Sequence, residues 1–268
     1  MKIPVLIVNL DRDEERFVRT VTQLQRYPIL SPLRLSAFPG RILPDHVCHI
    51  LTGNAWSHEH KGTLGCFISH VSAWETVARD EAANFTLVVE DNAEFSNCEL
   101  LANLVLPPNC DLAFCNSRTA YPGQGRDPHS VLFRSVDRVP AFVESHGHAV
   151  GTDGYILTPR GARKLIEFVT ADRLFSHVDL RMLAYGINPL TYPSPDEFSK
   201  AAKTIFEFRR TFDKKHYINA YSMVPYLTHR PLQLPSTRVV EDLSGKQSAP
   251  IGTNDVPNLT SFLRNTKP

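Results

Sequence analysis

Short apolar runs alternate along the chain with longer stretches of helical spacing. Residues 3–8 form an unbroken run of β-favouring side chains, which predicts a strand buried on both faces. Residues 11–26 follow with acids early and arginines throughout, and they predict a helix. Further strands are predicted at 33–38, 85–89, 111–115 and 155–157. This alternation predicts an α/β fold with a central, mostly parallel sheet and ligands at the carboxyl ends of its strands.

The periodic pattern divides the chain into two parts. The pattern in residues 1–190 predicts one large domain. Within it, Thr158 can cap a helix that has Pro159 in its first turn. Residues 191–268 predict a C-terminal extension, with a basic amphipathic stretch at 200–215 and an irregular tail over the last 35 residues. Turn-forming residues at 116–130 predict a loop within the first part.

Composition and charge argue against several classes of protein. The chain has 268 residues, and its apolar fraction of 42% is ordinary for a globular protein. Lys and Arg total 29 against 28 for Asp and Glu, so the sequence predicts no broad nucleic-acid-binding surface. No apolar run approaches the roughly 18–20 residues that span a bilayer, and acids follow the short N-terminal apolar stretch at once, unlike a secretory signal. We therefore expect a cytoplasmic protein.

The cysteines and two histidine pairs are weak evidence for a metal site. The five cysteines are odd in number and lack CxxC spacing, so the sequence indicates neither a disulfide framework nor a structural zinc site. His58 and His60 lack the spacing of the HExxH zinc motif. His146 and His148 alternate as on a strand, but two histidines without a third ligand do not define a metal site.

An acidic triplet follows the predicted strand at 85–89. Glu90, Asp91 and Asn92 would place oxygen ligands at the edge of the sheet, where a divalent cation and a diphosphate can meet. A solvated acidic turn is an equally good interpretation of the triplet alone.

The segment at 62–75 predicts a helix with a histidine on its apolar face. His70 falls on that face, where an imidazole must find a partner or stay neutral. Gly62 and Gly65 are consistent with a backbone brought close to a ligand or a neighbouring strand. From spacing alone, a hydrogen-bonded core histidine explains the pattern as well as a binding residue does.

Two later acids are candidates for catalysis. Asp153 lies between two glycines before a strand and is a base, a ligand or, on its local sequence, a turn former. Asp179 lies beside an apolar stripe, where burial or a neighbouring charge can shift its pKa, although an ordinary surface acid would give the same pattern.

Four of these segments, taken in order, resemble glycosyltransferase family 25, the lipooligosaccharide galactosyltransferase type. The similar blocks cover about two thirds of the chain, and Val178-Asp179 falls where the family has its late V-D pair. The blocks are VNLDRDEER at 8–16, GTLGCFISHVSAWE at 62–75, LVVEDNAEF at 87–95 and GTDGYILTPRGARKL at 151–165.

The resemblance implies a GT-A-like, Rossmann-type nucleotide-sugar-binding fold. It also implies a UDP-sugar donor, most often UDP-galactose, a glycan or glycolipid acceptor, Mn²⁺ or Mg²⁺, and inversion at the anomeric carbon. By the same resemblance, Glu90, Asp91 and Asn92 hold the metal, and Asp153 and Asp179 are candidates for completing the metal shell or for accepting the acceptor proton. As the base we place Asp179 first and Asp153 second. The implied donor-binding residues are Asn9, Leu10, Asp11, Arg12, Arg16, Gly65, Ser69, His70, Glu90 and Asp91.

The chain departs from the family pattern at two points. Asn92 stands where the triplet usually ends in Asp, so a carbonyl oxygen replaces a carboxylate and attracts a hard cation less strongly. Phe38-Pro39-Gly40 stands in place of the family's early V-D-G turn. Alternatives are therefore transfer of another hexose, a protein acceptor as in collagen galactosyltransferases, or a catalytically weakened sugar-nucleotide-binding protein.

The basic stretch at 200–215 has two interpretations. Its interspersed aromatic residues are suited to contact with an anionic membrane face, or they pack on the domain while the charges remain solvated.

Overall fold

A mixed seven-stranded sheet is the central layer of the protein. The computed structural model describes residues 2–53, 61–118, 131–136, 151–190 and 200–230. The strands within these ranges are β1 (Ile3–Asn9), β2 (Leu30–Ser36), β3 (Thr86–Glu90), β4 (Glu94–Phe95), β5 (Leu112–Phe114), β6 (Leu132–Ser135), β7 (Gly154–Leu157), β8 (Ala220–Val224) and β9 (Thr228–His229). The sheet has the order β2-β1-β3-β7-β5-β8-β6, and β4 and β9 form a separate two-stranded pair.

Most strands of the sheet run in the same direction. β1 is parallel to both β2 and β3, and β5 is parallel to β8. β7 is antiparallel to β3 and β5, and β6 is antiparallel to β8. Five strands therefore point one way and two the other. The predicted α/β fold with a mostly parallel sheet is confirmed.

Helices cover the sheet on its two faces. The predicted helix after β1 begins later than expected, at Glu14, because residues 10–13 form a turn closed by Asp13 N donating to Leu10 O at 2.8 Å. The predicted cap is confirmed, since Thr158 Oγ1 accepts from Gly161 N at 3.1 Å. The helices are α1 (Glu14–Leu24), α2 (Asp45–Thr52), α3 (Lys61–Arg79), α4 (Pro159–Asp172), α5 (Val178–Gly186) and α6 (Lys200–Arg210), with 3₁₀ turns at Gly40–Ile42 and Cys98–Asn103.

The sheet is buried on both faces. Leu6 and Val8 of β1 belong to an apolar cluster with α3, α4 and α5, whereas Val5 and Ile7 belong to a second cluster that includes Leu24 of α1. Burial on both faces explains the unbroken apolar run of β1. Among the helices in the described ranges, none combines the length and apolar character needed to cross a bilayer.

The described part of the predicted C-terminal extension contributes to the sheet. The sequence pattern predicted no strand in this part, yet β8 lies between β5 and β6. The fully buried Asp111 anchors this region, because its carboxylate accepts from Lys164 Nζ at 2.6 Å, Arg160 Nε at 2.7 Å and Asn219 N at 2.9 Å. Residue 219 directly precedes β8, so this contact fixes the entry of the strand.

The basic stretch packs its aromatic residues on the domain. Phe206 and Phe212 are buried, and Phe208 packs against the same cluster. These side chains are therefore not available for insertion into a membrane. Other predicted features lie wholly or mainly outside the described residues: most of the 116–130 loop, the tail, and the histidine pairs at 58/60 and 146/148.

A close backbone contact fixes α3 against the turn after β2. A Cβ atom added to Gly65 would lie 2.5 Å from Gly40 N and 2.6 Å from Gly40 Cα. A Cβ on Gly40 would in turn lie 1.8 Å from Lys61 O. Glycine is therefore required at both positions so that the helix and the Phe38-Pro39-Gly40 turn can touch.

We expect Gly65→Ala to destabilise the protein by about 1–3 kcal/mol, because backbone atoms must move to admit the methyl group. Chemical denaturation measures the loss. The matched control is Thr76→Ala on the exposed side of the same helix, which should change stability by no more than about 0.5 kcal/mol. Equal stability of the two variants would contradict the contact.

Candidate active site

A pocket lies at the carboxyl ends of β1 and β3, beside the first half of α3. The register pairs Val8 with Glu90, so the ends of the two strands meet at one edge of the sheet. The pocket has about 620 Å³ of empty space, part of it open to solvent. Its lining residues are Val8, Leu10, Ala37, Phe38, Pro39, Gly40, Gly62, Cys66, Ser69, His70, Glu90, Asp91 and Asn92.

The central member of the triplet is bound to the end of β1 and to α1. Asp91 is 8% exposed, and its carboxylate accepts from Asn9 Nδ2 at 2.7 Å. Arg16 Nη1 lies 3.8 Å from the other carboxylate oxygen. Burial raises the pKa of Asp91, whereas the Asn9 hydrogen bond and the Arg16 charge oppose that rise. The hydrogen bond from Asn9 and the charge of Arg16 thus offset part of the free-energy cost of burying this carboxylate.

The last member of the triplet presents an oxygen without a partner. Asn92 is 6% exposed, and its Oδ1 atom is buried with no hydrogen-bond partner in the described part of the chain. A buried amide oxygen normally pairs, so an unpaired one is a site for a ligand. Amide and carboxylate oxygens are ligands that Mg²⁺ and Mn²⁺ prefer. Asn92, with Glu90, therefore fits a hard divalent cation.

His70 lies at the back of the pocket. It is fully buried, with Nδ1 2.9 Å from the Tyr155 hydroxyl and Nε2 3.6 Å from Glu90 Oε1. Trp74 Nε1 donates to the same hydroxyl at 3.1 Å. Burial lowers the pKa of His70, but the Tyr155 hydroxyl, the Cys66 thiol and the Glu90 carboxylate raise it well above its usual value. His70 is therefore a core histidine held through Nδ1 by Tyr155, and it is also a wall of the pocket.

Ser69 holds the turn that forms the opposite wall. Its Oγ atom donates to Gly65 O at 2.7 Å and accepts from Phe38 N at 2.8 Å. Ser69 is 1% exposed because the Phe38-Pro39-Gly40 turn covers it.

The N-terminal block contributes unevenly to the pocket. Leu10 lines it, whereas Asn9 reaches it only through its hydrogen bond to Asp91, and Arg34 Nη2 holds the Asn9 side chain by donating to Oδ1 at 2.5 Å. Asp11 and Arg12 are exposed, and Asp11 lies 3.6 Å from Arg34 Nε. Within the described residues, Asp11 and Arg12 are not part of the pocket lining.

Asp153 lies in the turn before β7 and is 1% exposed. Arg118 Nη2 donates to its Oδ1 at 2.8 Å, whereas Oδ2 is buried without a hydrogen-bond partner in the described ranges. Burial and the Glu90 charge raise the pKa of Asp153 to about 6, against the opposing effect of Arg118. Such a carboxylate changes its charge close to neutral pH, which is a property of catalytic acids and bases.

Asp179 is the second residue of α5 and is half-buried. Its Oδ1 accepts from Leu180 N at 2.8 Å, in the first turn of the helix. The charge of Asp179 also raises the pKa of Asp153. The fold therefore brings Asp153 into electrostatic contact with both Glu90 and Asp179.

Several residues of the site had no role assigned from sequence. Thr152 Oγ1 donates to Glu90 Oε1 and so orients the first member of the triplet. Thr152 and Tyr155 both lie in the family-like block at 151–165, and this resemblance is the sequence feature that could have identified them. Cys66 was likewise within a quoted block. Nothing in the pattern around Arg34 pointed to its contact with Asn9.

Comparison with protein families gives one match over most of the chain. The model of glycosyltransferase family 25, described as an LPS biosynthesis protein, matches residues 2–182. The chain belongs to glycosyltransferase family 25. The match includes the pocket, Asp153 and Asp179.

Curated relatives of this family 25 glycosyltransferase include animal enzymes. Procollagen galactosyltransferase 2 of Homo sapiens is 32% identical over 106 residues, 40% of this chain and 17% of the human protein. Procollagen galactosyltransferase 1 of Danio rerio is 27% identical over 135 residues, 48% of this chain and 21% of that protein. The matches thus span about a fifth of the relatives' length.

One solved structure, a glycosyltransferase involved in the glycosylation of the major capsid of PBCV-1, aligns with a TM-score of 0.42 and 10% identity. The alignment covers 90% of this chain and 97% of that one.

We expect Asp153→Asn to change the pH dependence of stability. Because folding raises the Asp153 pKa from 3.8 to about 6, the contribution of the acid to stability is fully present below pH 3.8 and is lost as the pH rises through 6. Relative to wild type, the variant should therefore gain about 2 kcal/mol between about pH 4 and pH 7. Urea unfolding at the two pH values measures this. A pH-independent difference between the variant and wild type would contradict the assignment.

Proposed function

We propose that this family 25 glycosyltransferase transfers galactose from UDP-galactose to a hydroxyl of a lipooligosaccharide, a lipopolysaccharide or a related glycan, with inversion at the anomeric carbon. The observation that carries the proposal is a single pocket that gathers the Glu90-Asp91-Asn92 triplet, His70 and the end of β1. The family's description as an LPS biosynthesis protein supports the acceptor, and the names of the procollagen galactosyltransferases support the sugar.

The proposed cation is Mn²⁺ or Mg²⁺. Glu90 and Asn92 would hold it, because both line the pocket and Asn92 Oδ1 is unpaired within the described residues. Asp91 would contribute negative charge while Asn9 and Arg16 fix its carboxylate. When bound, such a cation acts as a Lewis acid that stabilises the charge of a departing diphosphate.

Asp153 is the proposed base, with Asp179 second, which reverses the order that the sequence suggested. A sugar hydroxyl is a poor nucleophile at neutral pH, and a carboxylate with a pKa near the working pH accepts its proton most effectively. Asp153 has a pKa of about 6 and an unpaired Oδ2 among the described residues. Asp179, in contrast, uses one oxygen to accept from its own helix.

A protein acceptor is the second candidate. The names of the animal relatives support it, although their matches cover only 40% and 48% of this chain. A catalytically weakened sugar-nucleotide-binding protein is a third candidate. Asn92 supports it, since the site has one carboxylate fewer than the family triplet.

We expect UDP release from UDP-galactose in the presence of Mn²⁺ and a lipooligosaccharide acceptor. Asp91→Asn should reduce kcat/KM at least about 100-fold, because it removes the charge at the diphosphate end of the pocket. A coupled UDP assay measures this, with Glu81→Gln as an exposed carboxylate control. A collagen-type peptide acceptor tests the second candidate in the same assay. Donor binding by calorimetry without turnover for either acceptor would favour the weakened protein and refute the transfer reaction.

We expect Asn92→Asp to strengthen the response to Mn²⁺. The change restores a carboxylate in nearly the same shape, so the Mn²⁺ concentration for half-maximal donor binding should fall about tenfold or more. Isothermal calorimetry at several Mn²⁺ concentrations measures the change, and the exposed Asn103→Asp is the control. An unchanged Mn²⁺ response would mean that residue 92 does not contact the cation.

A further inference from the structure

A second set of metal-ligating atoms converges in the wall of the same pocket. Cys66 and His70 are one helical turn apart on α3, and both line the pocket. Glu90 approaches them from the end of β3. The Cys66 Sγ atom, a ring nitrogen of His70 and a carboxylate oxygen of Glu90 all lie within 4.8 Å of one another.

His70 is oriented as a metal ligand would be. Its Nε2 atom is buried, lies 3.6 Å from Glu90 Oε1, and has no hydrogen-bond partner in the part of the chain that the structure describes. Its Nδ1 atom contacts the Tyr155 hydroxyl at 2.9 Å, and Trp74 holds that hydroxyl in place. In metal-binding histidines, a polar group on the second nitrogen fixes the ring in this manner.

We propose that Cys66 Sγ, His70 Nε2 and the Glu90 carboxylate form a site for a borderline divalent cation, Zn²⁺ in first place. Thiolate, imidazole and carboxylate are all zinc ligands, whereas Mn²⁺ and Mg²⁺ prefer oxygen alone. Tetrahedral zinc with bonds of about 2.0–2.3 Å places its ligand atoms about 3.3–3.8 Å apart. The His70–Glu90 separation of 3.6 Å already meets this requirement.

The site keeps one coordination position for another molecule. The described residues supply three ligands, all of them in the pocket lining, so the fourth position faces the pocket and takes water or an anionic oxygen. Glu90 is shared with the proposed Mn²⁺ ligands. Zn²⁺ in this site would therefore compete with Mn²⁺ for Glu90. Zinc binding itself requires no sugar donor or acceptor.

Titration of the chelator-treated full chain with Co²⁺, a spectroscopic substitute for zinc, tests the proposal. We expect one equivalent to produce thiolate-to-cobalt charge-transfer absorption, and Zn²⁺ to displace it. Cys66→Ser should abolish this absorption and weaken Zn²⁺ binding at least about 10–100-fold, the loss typical of removing even an outer-shell partner. Cys48→Ser, a partly exposed thiol outside the pocket lining, is the matched control and should keep both signals.

Alkylation of the wild-type protein gives a second measurement that needs no variant. Zn²⁺ should slow modification of Cys66 by iodoacetamide at least about tenfold, because a coordinated thiolate is protected, and should leave Cys48 unchanged. Mass spectrometry of the digested protein reports both sites. Absence of the charge-transfer absorption, its persistence in Cys66→Ser, or equal protection of the two cysteines would overturn the proposal. These outcomes are independent of turnover, so they remain interpretable whether or not galactose is transferred.

Discussion

The fully buried imidazole of His70 connects three elements at the back of the pocket. It extends from α3, contacts the Tyr155 hydroxyl of β7 through one nitrogen and faces Glu90 of β3 through the other. A buried imidazole is costly unless its nitrogens meet polar groups. The helix, the two strands and the turn after β2 therefore have little freedom relative to one another around this residue. The Gly40–Gly65 contact restricts the movement of α3 against the turn after β2.

The three members of the triplet have different surroundings in the pocket. Asn9 and Arg16 compensate for the buried Asp91, while Thr152 orients Glu90 and nothing in the described residues pairs with Asn92 Oδ1. On the far side of Glu90, Asp153 carries a pKa raised to about 6 through burial first and the Glu90 charge second. The site thus places the triplet beside a carboxylate that titrates near neutral pH, and the proposed transfer would use the triplet to hold a cation and the carboxylate as its base.

Sequence patterns located the elements whose signals are local. The apolar runs of β1 and β3, the Thr158 cap and the His70 helix were all predicted, and the family 25 blocks were recognised in order. β6 and β8 were missed because a short strand is stabilised mainly by its neighbours in the sheet. β8 is held by its pairing with β5 and by the Asp111 contact to Asn219, 108 residues apart in sequence. The aromatic residues at 206, 208 and 212 had two interpretations until their packing was known.

The sequence by itself determined which chemistry is present: an acidic triplet after an apolar strand, a histidine on an apolar helix face, and an acid between two glycines. Only the tertiary structure decided which of these groups meet. β7 runs antiparallel between β3 and β5, and that order brings Thr152 to Glu90 across 62 residues and Tyr155 to His70 across 85. The tertiary structure likewise brings Cys66 and His70 close to Glu90, although the cysteine spacing had indicated no zinc site. Local spacing fixes neighbours within a strand or helix, whereas sheet order and burial select the contacts between them.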